Sequence, residues 1–554
     1  MPPKARAAAI HLGIARSAPG RPDIGSLTLQ DPSIEAPVGR PPAAHDIEPT
    51  IESCVAGITK IELNHLGTFC HFCSDACDTT TSHMCVKCGA IICHQTRPGG
   101  SGCIGHDSVP KNWEFLCPLC ARKIDGKERS LPYKVIGYGM RKRVKKAWPA
   151  CIVHITLDSM KDHYLKLLIN LDLVTQYKQS SANLTTATLA MKAGAHGKQS
   201  RLLKIPSNFI TTSILENVPS NTFVIMDTHS DEYTGMLQHT GGASGGTNTT
   251  AAEIIEAYLG KQFMKAMKMA SSYARDDKSV ETTVKGSTPW CDTTPKARGG
   301  RRGLILVTCG PAMRVRHHFD SLLTLVKDPP HKYLSDVFDF IIGFGGASTL
   351  PVNVGPMVQA FVRNATLFGI PDVWDSLCEL LASSPDVLDH NTVVIVYGSY
   401  AEGKRIVESR EISKHRPPYR AFGHEFSACA KEGCRPAASD NRVSTKNGKV
   451  RITCAKCQWT SAWVAIDKDN EYFFRVKPTI APTLFWHHFP PSAGLNNFFV
   501  NATRAADRKD SRRSKRHEAN TEASTRRPVK RRRLSSSLEG SSNDGSEGSP
   551  MTYE

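Results

Sequence analysis

Nine of the chain's eighteen cysteines fall between Cys70 and Cys120, and this crowding limits the fold more than any other feature. Six of them form pairs, Cys70-x2-Cys73, Cys85-x2-Cys88 and Cys117-x2-Cys120, with Cys93 and Cys103 between the second and third pairs. A CxxC turn offers two thiolates at a bite that suits tetrahedral zinc, with sulfur about 2.3 Å from the metal. Eight ligands suit two zinc ions. A segment of about fifty residues buries little apolar surface, so metal binding has to supply most of its folding energy. The expected ligands are Cys70, Cys73, Cys85, Cys88, Cys93, Cys103, Cys117 and Cys120. His94, next to Cys93, and the Cys103-x2-His106 spacing leave alternatives for the fifth and sixth places, whereas Cys77, His65, His71 and His83 are set aside.

A second group, Cys429-x4-Cys434 with Cys454-x2-Cys457, has the layout of a zinc ribbon holding one ion. KVRITC reads as a strand running into the CxxC knuckle, and WTSAWVAI as the strand that follows it. Cysteines in CxxC pairs favour metal over disulfides and a reducing compartment. The amino-terminal MPPKARAAAIHLGIARSAPGRPD has no long apolar run of the kind a secretory signal needs. Residues 340–362 lack charge over a membrane-spanning length, but Pro351, Pro356 and several glycines mark them as buried soluble structure, so no membrane span is expected.

The formal charge is +18, and half of it sits in one place: residues 504–533 carry thirteen Lys/Arg against four Asp/Glu, a net of +9. The clusters Arg512, Arg513, Lys515, Arg516 and Lys530, Arg531, Arg532, Arg533 resemble a bipartite nuclear import signal, which implies a nuclear protein. The same tail is suited to DNA phosphates. Acidic residues beside serines in SSSLEGSSNDGSEGS fit phosphorylation that offsets this charge. Residues 1–61, rich in Pro, Ala and Gly, and residues 502–554 are expected to be disordered. The segment 126–149, with Arg141, Lys142, Arg143, Lys145 and Lys146, reads as a solvated basic linker or an anion-contacting patch.

Between 150 and 400 the texture becomes that of an α/β domain. CIVHITL, TFVIMDTHSD, GLILVTCG, DVFDFIIGFG and TVVIVYGS read as strands, with helical spacing in MKDHYLKLLINLDLVTQY, in TTATLAMK, over 251–274, in MRVRHHFDSLLTLVK and in PMVQAFVRNATLF. Alternating strands and helices imply a parallel sheet covered on both faces. Functional groups in such sheets gather at the carboxyl ends of strands. Two strands end in nucleophile chemistry there, at His229 and at Cys309. A thiolate with an imidazole base can perform covalent catalysis, and backbone N–H groups at Ser230 and Cys309 are placed to hold an oxyanion. Asp227 and Asp231 can orient the imidazole or serve as turn residues, and His239 is a rival base. GFGGAST lacks the ending of a phosphate loop.

The first cysteine cluster resembles a PHD finger, with Phe115 in the place of that family's aromatic residue before the last pair. The resemblance implies interleaved ligand pairs and a histone-type tail as partner. Cys93 stands where the family has His, and Cys103 follows a glycine-bearing insert, QTRPGGSG. The α/β segment resembles the caspase-like cysteine peptidases of the separase and CHAT branches, which put His after one apolar strand and Cys after the next with a helix between. Ser230 stands where that family has glycine. The expectation is therefore a multidomain α/β protein with a caspase-like parallel sheet, flanking helices, two small zinc-stapled modules (62–125 and 424–465) and disordered termini. Its cofactor is zinc, and its activity is cysteine-type endopeptidase action on a protein or peptide substrate. The alternatives are a non-enzymatic chromatin- or DNA-interaction protein with an inactive α/β scaffold, and a DNA-binding protein of mobile-element origin.

Overall fold

The computed structural model describes residues 62–525, apart from 64–68, 79, 88–89, 95–101, 106–113, 123–132, 137–144, 146, 161–162, 193–195, 240–247, 277–299, 328–335, 347–348, 370–371, 402–403 and 467–469. The expected disordered segment 1–61, the import cluster Lys530–Arg533, Cys88, His106, Arg141, Lys142, Arg143 and Lys146 lie outside the described residues.

The first module contains the hairpin β1 (Ser82–Met84) and β2 (Ile91–Cys93) and the short helix α1 (Pro118–Arg122). The central body follows in chain order: β3 (Ala150–Leu157), α2 (Tyr164–Gln176), β4 (Leu184–Met191), α3 (Lys204–Leu215), β5 (Asn221–Asp227), the two-residue strands β6 (Leu237–Gln238) and β7 (Asn248–Thr249), and α4 (Ala251–Asp276), broken at Gly260. It continues through β8 (Arg302–Val307), α5 (Pro311–Arg314), α6 (Arg316–Val326), β9 (Phe340–Phe344), α7 (Pro351–Phe368), α8 (Val373–Ser383), β10 (Val393–Ala401) and β11 (Lys404–Lys414). The second module carries β12 (Asn441–Lys446), β13 (Lys449–Cys454) and β14 (Val464–Ala465). The chain then closes through β15 (Phe474–Arg475), β16 (Leu484–His488) and α9 (Phe498–Thr525).

One nine-stranded sheet organises the body, in the order β15-β16-β11-β10-β9-β8-β5-β3-β4. The strands β4, β3, β5, β8 and β9 are mutually parallel, and β10 turns antiparallel to β9. Every residue of β3, β5, β8 and β9 is buried, as strands covered on both faces require. Phe223, Ile225, Ile305 and Ile342 pack on one side against Leu165 and Ile169 of α2, Val358 and Phe361 of α7 and Leu377 of α8. The stretch 340–362 thus includes β9 and the first part of α7, which sends Val354, Met357, Val358, Phe361 and Val362 into this core. Among the described residues no helix is long and apolar enough to cross a membrane.

Three expectations are corrected. TTATLAMK is not a helix. Residues 184–191 form β4, an edge strand in full register with β3, because three threonines favour a pleated, half-buried surface and pairing with β3 outweighs the helical reading. The sheet also does not stop at 400. It runs on through β11 and, after the cysteine group at 429–457, through β16 and β15, so the second module is an insertion between two strands of the sheet. Finally, 502–525 is helical: Phe498 and Phe499 anchor the start of α9 among Phe422, Phe426 and Phe473, and its Ala, Arg, Lys and Glu residues propagate the helix.

A buried ionic cluster pins the amino ends of β8 and β9. Arg302, 1% exposed, donates to Asp336 Oδ1 at 3.0 Å and to Asp339 Oδ1 at 2.6 Å. Arg405 on β11 pairs with the same Asp336. Burial opposes ionisation of Asp339, but Arg302 and Arg405 outweigh it and hold its pKa at about 2.

Candidate functional site

The first module assembles two ligand groups. The Sγ atoms of Cys70, Cys73, Cys93 and Cys103 lie within 4.8 Å of one another, and so do those of Cys85, Cys117 and Cys120. The first pair therefore meets Cys93 and Cys103 while Cys85 meets the last pair, an interleaved arrangement. Local backbone geometry makes this possible. Cys103 N–H donates to Cys93 O at 2.8 Å, so the two single cysteines sit together despite the insert between them. Phe115 is buried with its ring 5.3 Å from both His83 and Tyr133. Ile104 bridges Val135, so residues 133–136, expected as linker, add to the module.

The donor sets fit zinc. A tetrahedron with 2.3 Å bonds has sulfur–sulfur edges of about 3.8 Å. Cys73 and Cys93 are 3.7 Å apart, Cys429 and Cys457 3.4 Å, and Cys434 and Cys454 3.9 Å. The N–H groups of Phe72 and Cys93 point at Cys70 Sγ, both at 3.4 Å, as outer-sphere donors that temper thiolate charge. In the second module, Cys429, Cys434, Cys454 and Cys457 form the third group within 4.8 Å. There the Trp459 N–H pulls the Cys457 thiol down to about 7. Cys77 stays outside these groups, and burial pushes its thiol up to about 12.

At the carboxyl rim of the sheet, β5 and β8 are neighbours with Asp227 opposite Val307. His229 and Cys309 each lie two residues further along, so they leave the sheet side by side. Their loops are stitched together. Ser230 Oγ donates to Cys309 O at 3.1 Å, and Thr228 N–H donates to Val307 O. After His229 the chain folds into a hairpin closed by Gln238 N–H to His229 O at 2.9 Å and by Thr228 Oγ1 to Gln238 O at 2.5 Å. Gly235, at φ +69°, lies so close to the Cys309 turn that a Cβ there would stand 2.5 Å from Pro311 O. No side chain other than glycine's hydrogen fits.

The turn after Cys309 is equally tight. Gly310 N–H donates to Gly346 O at 2.6 Å, and a Cβ on Gly310 would meet the carbonyls of Gly345 and Gly346 at 2.5 and 2.6 Å. Two backbone donors remain uncommitted at this rim. Ser230 bridges Leu237 as the pair that exchanges no hydrogen bonds, since the ladder bonds run from Gln238 and Asp231. Neither Ser230 N–H nor Cys309 N–H donates to any group among the described residues.

His229 is exposed and Cys309 half-buried. Their side chains make no hydrogen bond with each other or with any other described residue. Asp231 is a turn residue: its Oδ1 accepts from the N–H groups of Tyr233 and Thr234 and from the Thr234 hydroxyl. Asp227 is different. It is 6% exposed, and burial raises its pKa to about 6. His239 lies just past the hairpin, half-buried.

No protein-family model, curated protein or solved structure matches the chain.

Sequence reading passed over one residue that shapes the rim. Buried His318 of α6 accepts the Ala251 N–H on Nε2 at 3.2 Å, so Nδ1 carries the proton and donates to Ala312 O at 2.5 Å. It ties the start of α4 to the helix after Cys309. Its position with Leu322 and Leu325 on one buried helical face is the signal that could have found it. Of the residues expected to form an import signal, Arg512, Lys515 and Arg516 are exposed on α9, which also carries Arg513.

Proposed function

We propose that the α/β body is a cysteine-type endopeptidase carried by a nuclear zinc-binding protein. The observation that carries this reading is the side-by-side exit of His229 and Cys309 from neighbouring parallel strands, with the Ser230 hydroxyl on the Cys309 carbonyl. His229 takes the Cys309 proton, and the thiolate attacks the scissile carbonyl carbon, forming a C–S bond. The negative oxygen of the tetrahedral intermediate accepts from the Ser230 and Cys309 N–H groups. His229 then gives its proton to the amine nitrogen as the C–N bond breaks, leaving a thioester. Water, losing a proton to His229, attacks that thioester; the C–S bond breaks and the thiol is restored.

The zinc modules serve as anchors in this reading. The PHD-like module takes a histone-type tail. Basic residues of α9 and of the segment after it serve nuclear import and bind DNA through phosphates. One observation favours the second reading, a non-enzymatic chromatin- or DNA-interaction protein in which the α/β body is a scaffold: the imidazole and the thiol share no hydrogen bond.

Iodoacetamide labelling of the folded, zinc-loaded protein across pH 5 to 9 separates the two readings. A working pair gives fast labelling of Cys309 near neutral pH and slower labelling in His229→Ala. If Cys309 labels only after denaturation, or at the same rate without His229, the scaffold reading stands.

A further inference from the structure

The inserted ribbon carries a surface that neither its zinc nor the peptidase reading uses. Strands β12 and β13 join through Asn447–Gly448, both at positive φ, the tight turn that matches strand twist. The register pairs Arg442 with Thr453, Ser444 with Arg451 and Lys446 with Lys449. Side chains alternate along a strand, so Val443, Val450 and Ile452 turn into the aromatic core and Arg442, Ser444, Lys446, Lys449, Arg451 and Thr453 share the opposite face. Those six positions hold four cations and no carboxylate. Arg442, Lys446 and Lys449 are exposed, with no ion-pair partner among the described residues.

The face also has a flat aromatic element. Val464 pairs with Val450, which brings Trp463 beside Arg451. The Arg451 guanidinium lies 4.6 Å from the Trp463 ring centre, and this tryptophan is 37% exposed. A second basic element is fastened alongside. Ala462 N–H donates to Thr503 Oγ1 of α9 at 2.9 Å, and α9 continues with exposed Arg504, Arg508, Lys509 and Arg512.

We propose that this ribbon face, with α9 beside it, binds single-stranded nucleic acid. Arg442, Lys446 and Lys449 contact phosphates, and the Arg451–Trp463 stack receives an unpaired base. Unpaired cations on one face beside an exposed aromatic ring match the chemistry of a sequence-tolerant single strand, where phosphates supply the charge and each base a stacking face. An acidic peptide satisfies the cations but leaves the stack unused.

The test is fluorescence anisotropy of a labelled 20-nucleotide oligothymidylate with the full-length, zinc-loaded protein over a salt series. Arg442→Gln/Lys446→Gln/Lys449→Gln should weaken binding at least about tenfold and flatten the log–log salt slope by about two, since each lost phosphate contact on a single strand removes about 0.7. Trp463→Ala should weaken binding about tenfold at an unchanged slope. Should the triple variant lose zinc, Ser444→Glu places a repelling charge at the centre of the face with every cation intact, and it should weaken binding likewise. Unchanged affinity in the triple variant, or in Ser444→Glu, overturns the proposal. So does equal displacement by polyglutamate of the same charge, or tighter binding of a duplex with no effect of Trp463→Ala.

Discussion

The Ser230 hydroxyl donates a 3.1 Å hydrogen bond to the backbone carbonyl of Cys309, linking positions 79 residues apart. A glycine at 230 would keep the N–H but lose this link, so the serine makes the His229 hairpin and the Cys309 turn one unit. Ser230→Ala should therefore cost about 0.5–1.5 kcal/mol of stability while leaving the Ser230 N–H in place. Urea denaturation gives the first number, and iodoacetamide labelling of Cys309, expected to change by no more than a few fold, gives the second. A variant as stable as wild type would remove the hydrogen bond from the account of this rim.

Asp227 makes the stability of the body depend on pH. Burial raises its pKa from 3.8 to about 6, so the folded state holds a proton that the unfolded state has released. The contribution of Asp227 is most favourable below pH 4, is lost as pH rises through 6, and stays lost above it. Two pKa units correspond to about 3 kcal/mol. Asp227→Asn, which cannot ionise, should flatten this dependence and raise the urea midpoint at pH 7.5 relative to wild type. Equal midpoints at pH 7.5 would count against a buried carboxylate at this position.

Arg302 stands between two carboxylates inside the sheet, with Arg405 behind them. Removing one partner of a buried ion pair leaves an uncompensated charge and costs about 3–5 kcal/mol. Arg302→Met should show a loss of that size. Asp339→Leu in the same chain should recover part of it, because the stranded charge is then gone. If the double variant is no better than the single one, the loss belongs to packing around Arg302 rather than to Asp339.

The strands of the body were legible because β3, β5, β8 and β9 are continuous apolar runs, the signature of sheets covered on both faces. The thiol groups were legible because CxxC spacing has a direct geometric meaning. The edge strand β4 was not, since its Thr and Ala residues carry no strong period and only pairing with β3 decides their conformation. Pairing of β11 with β16, across an inserted module, leaves no local trace either. At the rim, His229 and Cys309 stood out by chemistry. The groups that fix their loops are Thr228, Ser230, Gly235 and His318, and each acts through a backbone contact with a distant segment that no spacing rule encodes.

The thiol groups predict three zinc ions per chain, two in the first module and one in the second, with Cys88, which lies outside the described residues, expected from its CxxC spacing with Cys85 as the fourth ligand of one of them. Elemental analysis of the purified protein checks the count. Cys103→Ser should release one ion, because Cys103 shares a group with Cys70, Cys73 and Cys93, and Cys429→Ser should release a different one. Cys77→Ser should release none. Loss of the second module's ion should expose the hairpin β12–β13 to proteolysis while the parallel strands β3, β5, β8 and β9 stay protected, since their core is closed by α2, α7 and α8 rather than by metal. A count of two, unchanged by Cys103→Ser, would mean that Cys93 and Cys103 are core cysteines and that the first module is held by a single ion.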